Sequence, residues 1–174
     1  MFLKYQSFEE NNLSCKMRRP WNIINQPVYS LLSEDSSDKI NMNICTYVSA
    51  VSMKPKIYML AIYYNTKTYE NLINSNYAVL QLLSKDNISL VRALGKKSGL
   101  KINKDLYLRK KHLIKWKGYD VLDNLCALVE LKKNNVIKNH GDHAIFLFDV
   151  ISFKSIKKED ILTTNDLINK KIIL

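Results

Sequence analysis

Met42-Asn-Ile-Cys-Thr-Tyr-Val-Ser-Ala-Val-Ser52, the turn Lys54-Pro55-Lys56 and the run Ile57-Tyr-Met-Leu-Ala-Ile-Tyr-Tyr64 decide how this chain reads. The first run mixes β-branched residues with small polar ones, as a strand does. Alternation puts Asn43, Cys45, Tyr47, Ser49 and Val51 on one face. Ile44, Thr46, Val48, Ala50 and Ser52 take the other. Neither face is purely apolar. A strand of hydroxyls and small residues on a mostly buried sheet implies that something polar lies against it. The second run is nearly continuous and apolar, which predicts a buried strand.

Outward from this pair, Pro27 to Leu32 has the length and composition of a strand, and Glu34 to Lys39 reads as a surface loop. Downstream, Asn65-Thr66-Lys67-Thr68 makes a turn into a short helix over Tyr69 to Asn74, with Glu70 in its first turn. Tyr77 to Leu83 predicts a buried strand. Asp86 to Leu94 reads as a helix, with Ile88, Val91 and Leu94 on one side and Gly95 at its end. Lys96 to Gly99 is a loop, and Asn103 to Lys117 is a Lys-rich mixture of helical and extended pieces. Leu125 to Leu131 and His143 to Phe153 are strands, the second the strongest in the chain. The last fifteen residues hold one or two helical turns. Six or seven strands with few helices predict a mainly β barrel or sandwich with helical excursions.

At 174 residues the chain reads as one domain, 1–174, with 47% hydrophobic and 25% charged residues. The formal charge of +11 raises nucleic acid or an anionic membrane as partners. The basic residues, however, are 23 Lys and only 4 Arg, and Asn and Ile are abundant at 18 each. That combination is what an A+T-rich genome imposes, so the charge carries little. A basic barrel that binds nucleic acid needs basic residues interleaved with exposed aromatics. Here Lys is dispersed, while Tyr58, Tyr63, Phe146 and Phe148 sit in apolar strands, so nucleic acid is not the expected partner.

No uncharged stretch exceeds 14 residues, too short for a membrane helix. The start Met1-Phe2-Leu3-Lys4-Tyr5 lacks the apolar core of a signal peptide. Cys15, Cys45 and Cys126 are isolated, which predicts a reduced, cytoplasmic protein. Together with His112, His140 and His143 they show no ligand spacing, so no metal is expected.

Three stretches, in this order, resemble the flavin reductase family, whose fold is an FMN-binding split β-barrel. Asn43 to Ser52 with Lys54-Pro55 is similar to that family's strand–turn–strand, in which small hydroxyl residues meet the isoalloxazine ring. Asn65 to Asn71 resembles its Lys/Ser-x-Thr-x-Glu loop at a helix start, and Gly141-Asp142-His143 its late Gly-Asp-His before a strand. Leu94 to Gly99 is a weaker match to a Gly-x-x-Ser-Gly turn. The similarity spans Arg19 to Ser155, leaving 156–174 as a short helical extension. One departure is visible: an Asp-Lys pair common after the Ser-Gly is replaced by Asn103-Lys104, which puts a carboxylate's role there in question.

The resemblance implies a Greek-key barrel with short helices and a homodimer with flavin near the subunit interface. FMN (or FAD) would be bound, with NADH or NADPH as substrate and free flavin or another acceptor downstream. An FMN-binding electron carrier without nicotinamide turnover is the alternative. There is no Gly-x-Gly-x-x-Gly after a strand, so reduced nicotinamide would bind against the flavin face.

The implied flavin contacts are Asn43, Cys45, Thr46, Tyr47, Val48 and Ser49 along the first strand. Tyr64, Asn65, Thr66, Lys67 and Thr68 would lie at the helix start, and Lys97 and Ser98 in the later loop. From spacing alone, Asn65 to Thr68 are a turn and N-cap; with the resemblance they are a phosphate seat at a helix N-terminus. Cys45, without a partner Cys, reads as a small buried hydrophobe. His143 is the candidate catalytic residue, positioning nicotinamide or steadying charge on the ring. Taken without the family it closes a turn with Asp142.

Overall fold

The computed structural model describes residues 23–111 and 113–173; Cys15 and the Arg19 end of the resemblance lie outside them. The strands are β1 (Tyr29–Glu34), β2 (Ile40–Cys45), β3 (Val48–Met53), β4 (Lys56–Tyr63), β5 (Tyr77–Leu82), β6 (Leu113–Trp116), β7 (Tyr119–Leu122), β8 (Ala127–Ile137) and β9 (His143–Ser155). The helices are α1 (Lys67–Asn74), α2 (Lys104–Leu108) and α3 (Thr164–Asn169).

Seven strands form one sheet in the order β2-β1-β5-β8-β9-β4-β3, and β6 and β7 form a separate hairpin. Every pairing is antiparallel. The two edge strands, β2 and β3, are joined by Thr46 and Tyr47 alone. A two-residue link cannot cross a flat seven-stranded sheet, whose strands lie about 4.8 Å apart. The sheet must therefore curl until its edges meet, and it meets without pairing them: a split β-barrel.

The link is a tight one. The Val48 N–H donates to the Thr46 carbonyl two residues back at 2.9 Å, and the Tyr47 carbonyl accepts from the Ala61 N–H at 3.0 Å. Register shifts between Ala50 and Ser52 on β3 and at two places between β8 and β9 mark bulges, which bend long strands.

Adjacent residues of the central strands feed opposite cores, so those strands are buried on both faces. Leu31, Leu60, Ile62, Leu80, Phe146 and Phe148 fill one cluster with Leu72 of α1. Leu32, Val79, Leu94, Leu108, Leu122 and Leu162 fill the other, toward the segments between β5 and β8 and the C-terminal end. Double burial explains why these strands read as apolar runs rather than clean alternations.

Four expectations shift. The strand expected over 42–52 is two strands, because topology rather than composition breaks it at Thr46–Tyr47. The strand expected from Pro27 begins at Tyr29, since Pro27 bridges Thr163 and the Val28 N–H bonds the Leu162 carbonyl. The helix expected over 86–94 is a 3-10 helix, Lys85–Leu90, and a π turn, Arg92–Lys96. Asn87 pins its start, accepting from the Ser84 N–H and donating to the Asp123 carbonyl. Gly95, expected at the end, lies inside the π turn, one residue before its last; a Cβ there would stand 3.3 Å from Ile44 Cγ1. Finally, β8 continues six residues past Leu131, through Asn134 and Asn135, to Ile137.

Candidate functional site

A cleft of about 530 Å³ opens at the seam, between β2, the β4–α1 turn, the start of β9 and the loop following the π turn. Its floor is the odd-numbered face of β2. Asn41, Asn43 and Cys45 point the same way by strand alternation, and all three line the cleft. Asn41, only 4% exposed, donates from Nδ2 to Thr68 Oγ1 at 2.9 Å. The Oδ1 atoms of Asn41 and Asn43 are buried and no described group donates to them. A native protein leaves few such acceptors, and each calls for a reason. Burial pushes the Cys45 thiol up to about 12, so it stays protonated and behaves as the small apolar group expected from sequence.

The start of α1 forms one wall. Thr66 is its N-cap: Oγ1 accepts from the Tyr69 N–H at 3.2 Å, and the hydroxyl donates to the Tyr63 carbonyl at 2.8 Å. The amides of Lys67 and Thr68 precede the helical ladder and carry the positive end of the dipole. Lys67 Nζ stands 3.4 Å from Glu70, a surface pair that leaves the lysine free to swing. Opposite, Lys97, Ser98 and Gly99 lie so close that a Cβ on Gly99 would come within 2.5 Å of Asn41 Oδ1 and 2.9 Å of Lys67 Cβ. Only glycine fits there.

Beneath this wall lies Lys104, which is 5% exposed. Its ammonium donates to the Met42 carbonyl at 2.9 Å and to the Leu94 carbonyl at 2.5 Å, tying β2 to the π turn. Burial lowers it to about 8, and no carboxylate of the described residues forms an ion pair with it. The departure noted at Asn103-Lys104 resolves here. Asn103 caps α2, its Oδ1 accepting from the Leu106 N–H at 3.3 Å. The nearby carboxylate is Asp105, which accepts from the Ile40 N–H and from Arg109 Nε.

At the far end His143 opens β9 directly across from Tyr63 of β4. Its ring packs against Tyr47, edge-on with centroids 5.6 Å apart, and against Tyr63, tilted at 5.4 Å. Nδ1 contacts Asp142 Oδ1 at 2.6 Å, and this hydrogen bond holds the Asp142 carboxyl below its usual range. A carboxylate on Nδ1 fixes the imidazole and leaves Nε2 for a ligand.

The cleft thus gathers Asn43, Cys45, Thr46, Tyr47, Asn65, Thr66, Lys67, Thr68, Lys97, Ser98 and His143 from the sequence-derived set. Three others do not line it. Val48 packs against the barrel core, and Ser49 is exposed with its hydroxyl toward the Ala50 carbonyl. Tyr64 OH donates to the Asn139 carbonyl and accepts from the Asn139 N–H, bracing the loop that carries His143. Sequence reasoning missed Asn41 and Lys104. Asn41 had a signal, its place two residues before Asn43 on the same face. Lys104 had none beyond its place after Asn103.

A seven-stranded antiparallel barrel left open along one seam, with its cleft in that seam, is the FMN-binding split β-barrel class. The chain belongs to the flavin reductase like domain family, which it matches over residues 17–166. Solved structures share the fold at low identity. Flavoredoxin from Methanosarcina acetivorans is 14% identical with a TM-score of 0.70, the match covering 90% of this chain and 86% of that one. An FMN-binding protein from Thermus thermophilus with bound 1-cyclohex-2-enone is 17% identical, TM-score 0.69, with 87% and 80% covered. The Streptomyces globisporus NADH:FAD oxidoreductase in complex with NAD and FAD fragments is 14% identical, TM-score 0.68, with 78% of each chain covered. No curated protein matches the chain in sequence. Among the described residues no helix is long and apolar enough to cross a membrane.

Proposed function

We propose that the seam cleft holds FMN and that the protein is an NAD(P)H:flavin oxidoreductase, passing reducing equivalents to free flavin or another acceptor. The observation that carries this reading is the gathering, in one cleft, of a phosphate-type seat and an imidazole clamp. The seat comprises the α1 N-terminus with Lys67, Lys97 and Ser98; the clamp comprises His143 with Tyr47 and Tyr63. A phosphate dianion suits a helix start flanked by lysines. The unpaired Asn41 and Asn43 acceptors suit a ligand that brings hydrogen-bond donors.

Bound FMN supplies the two-electron chemistry; the chain's part is to bind, orient and exclude water. Thr46 and Tyr47 set the link that both edges share. His143, held by Asp142, offers Nε2 to an incoming carboxamide. Likeness to a protein described as an NADH:FAD oxidoreductase supports turnover with nicotinamide. Likeness to a flavoredoxin supports the second reading, an electron carrier with bound FMN and slow nicotinamide chemistry.

Purified protein mixed with FMN and then with NADH or NADPH decides between them. Loss of the oxidised flavin absorbance on a turnover timescale supports the reductase. Bound flavin that stays yellow with both nucleotides overturns it in favour of the carrier. A protein that neither retains flavin nor bleaches added FMN with either nucleotide removes both.

A homodimer belongs to the same proposal. Edge strand β3 and the end of β9 expose Met53 at 75% and Phe153 at 62%, both lining one apolar groove.

A further inference from the structure

We infer that Asn41 and Asn43 form a carboxamide ladder that reads the polyol chain of the flavin, making Asn41 a specificity residue that discriminates between flavins by their side chain. The inference rests on the reading of the cleft as a flavin site. It deepens that reading by assigning a part of the ligand to residues whose role the phosphate seat and the imidazole clamp leave unexplained.

Both Oδ1 atoms are buried acceptors that receive no hydrogen bond from the described residues. Burying a carboxamide oxygen unpaired is unfavourable. Asn41 is also held in place. Its Nδ2 is engaged by Thr68 Oγ1, and Gly99 presses on the other side so closely that any side chain there would strike Oδ1. An amide fixed on one arm and unpaired on the other is preorganised for a ligand.

Position selects which ligand group. Asn41 bonds the second residue of α1, so it lies at the anion end of the cleft. Asn43 lies two residues further toward Cys45, Thr46 and the seam, roughly 7 Å along the strand. A phosphate has no proton to offer these oxygens at neutral pH. The donors nearest to a flavin phosphate are the hydroxyls on the consecutive carbons of the ribityl chain. A chain of hydroxyls running from the α1 N-terminus toward the seam passes both acceptors in turn.

The experiment titrates the full-length protein with lumiflavin, riboflavin and FMN, read by flavin fluorescence, with no turnover required. Lumiflavin has neither polyol nor phosphate, riboflavin has the polyol, and FMN has both. Wild type is expected to bind riboflavin at least about tenfold more tightly than lumiflavin, the worth of one hydrogen bond to a preorganised acceptor. Asn41→Leu, close in shape and without the acceptor, is expected to abolish that ratio while leaving lumiflavin affinity unchanged. Because it also removes the bond to Thr68 Oγ1 at the phosphate seat, the unchanged FMN-to-riboflavin ratio is read in Asn43→Leu, which keeps that bond. Asn43→Leu serves as the second variant with the same expected pattern, and thermal melts without flavin establish that each is folded.

Equal losses for lumiflavin and riboflavin, or an unchanged ratio in both folded variants, overturn the ladder while flavin binding stands. Wild type that binds none of the three removes the ladder together with the flavin reading.

Discussion

Lys104 carries a positive charge into the floor of the cleft, where among the described residues two carbonyls receive it. Burial lowers its proton affinity, to about 8. The sign of the consequence is fixed. A folded state that releases the proton earlier than the unfolded chain binds fewer protons between pH about 8 and the ordinary lysine range. The cost of burying the ammonium is thus fully present below pH 8 and is relieved as pH rises, by at most about 1.4 kcal/mol per pH unit. Anion binding moves the other way, since the neutral amine no longer attracts a phosphate. Melting curves and FMN titrations of wild type and Lys104→Met from pH 7 to about 10 would show both trends. Relative to the variant, wild type should gain thermal stability and lose FMN affinity through that window. Parallel pH profiles for the two proteins would contradict the assignment. Lys104 was not legible in the sequence, where a lysine among 23 has nothing to mark it as buried. Asn41 escaped for a similar reason: an Asn next to a loop reads as surface until the sheet is closed around it.

At the scale of elements, the start of α1 decides whether the cleft prefers phosphate-bearing ligands. Thr66 closes the first turn by accepting from the Tyr69 amide, and its own hydroxyl anchors the turn to the end of β4. Thr66→Ala removes both contacts and should cost about 1 kcal/mol, a fall in Tm of a few degrees for a chain of this size. Because the cap also aims the first-turn amides, FMN affinity should drop several-fold while riboflavin, which lacks the phosphate, is held as before. Isothermal titration with the two ligands measures this; an equal loss for both would mean that α1 is only a structural wall.

The same element shows what could be read from sequence. Asn65 to Thr68 marked a turn and cap through residue type alone, whereas Gly95, read as a helix end, lies inside the π turn, where a Cβ would crowd Ile44. The run Ile57 to Tyr64 and the run from His143 were plain because one face of each strand is buried in the barrel core and the other is at least half-buried over most of its length, which leaves few polar positions. What stayed hidden were features set by distant partners. Nothing local at Thr46 and Tyr47 tells that the two halves of the stretch lie on opposite edges of one sheet. Nor does composition distinguish an α-helix from the 3-10 and π turns held by Asn87 and Asp123.

For the whole molecule, closing the sheet on itself leaves β3 paired on one side only, to β4. An exposed edge with apolar side chains is a template for association unless it is covered. Met53, Val51, Ile151 and Phe153 are all at least about half exposed on this part of the barrel, and the groove beside them holds about 270 Å³. A second copy of the chain is the partner that a two-fold arrangement supplies without any new surface, since the same patch serves on both sides. Sedimentation should therefore give twice the 20.3 kDa chain mass. Phe153→Lys places a charge in the middle of the apolar groove and leaves the buried cores untouched, so it should give a folded monomer by circular dichroism. Met53→Lys should act in the same direction from the other wall. If the flavin cleft draws on the partner, FMN affinity will fall together with the dimer fraction as protein is diluted; affinity that is indifferent to dilution would confine the site to one chain. Wild type that sediments as a monomer at micromolar concentration would remove the dimer.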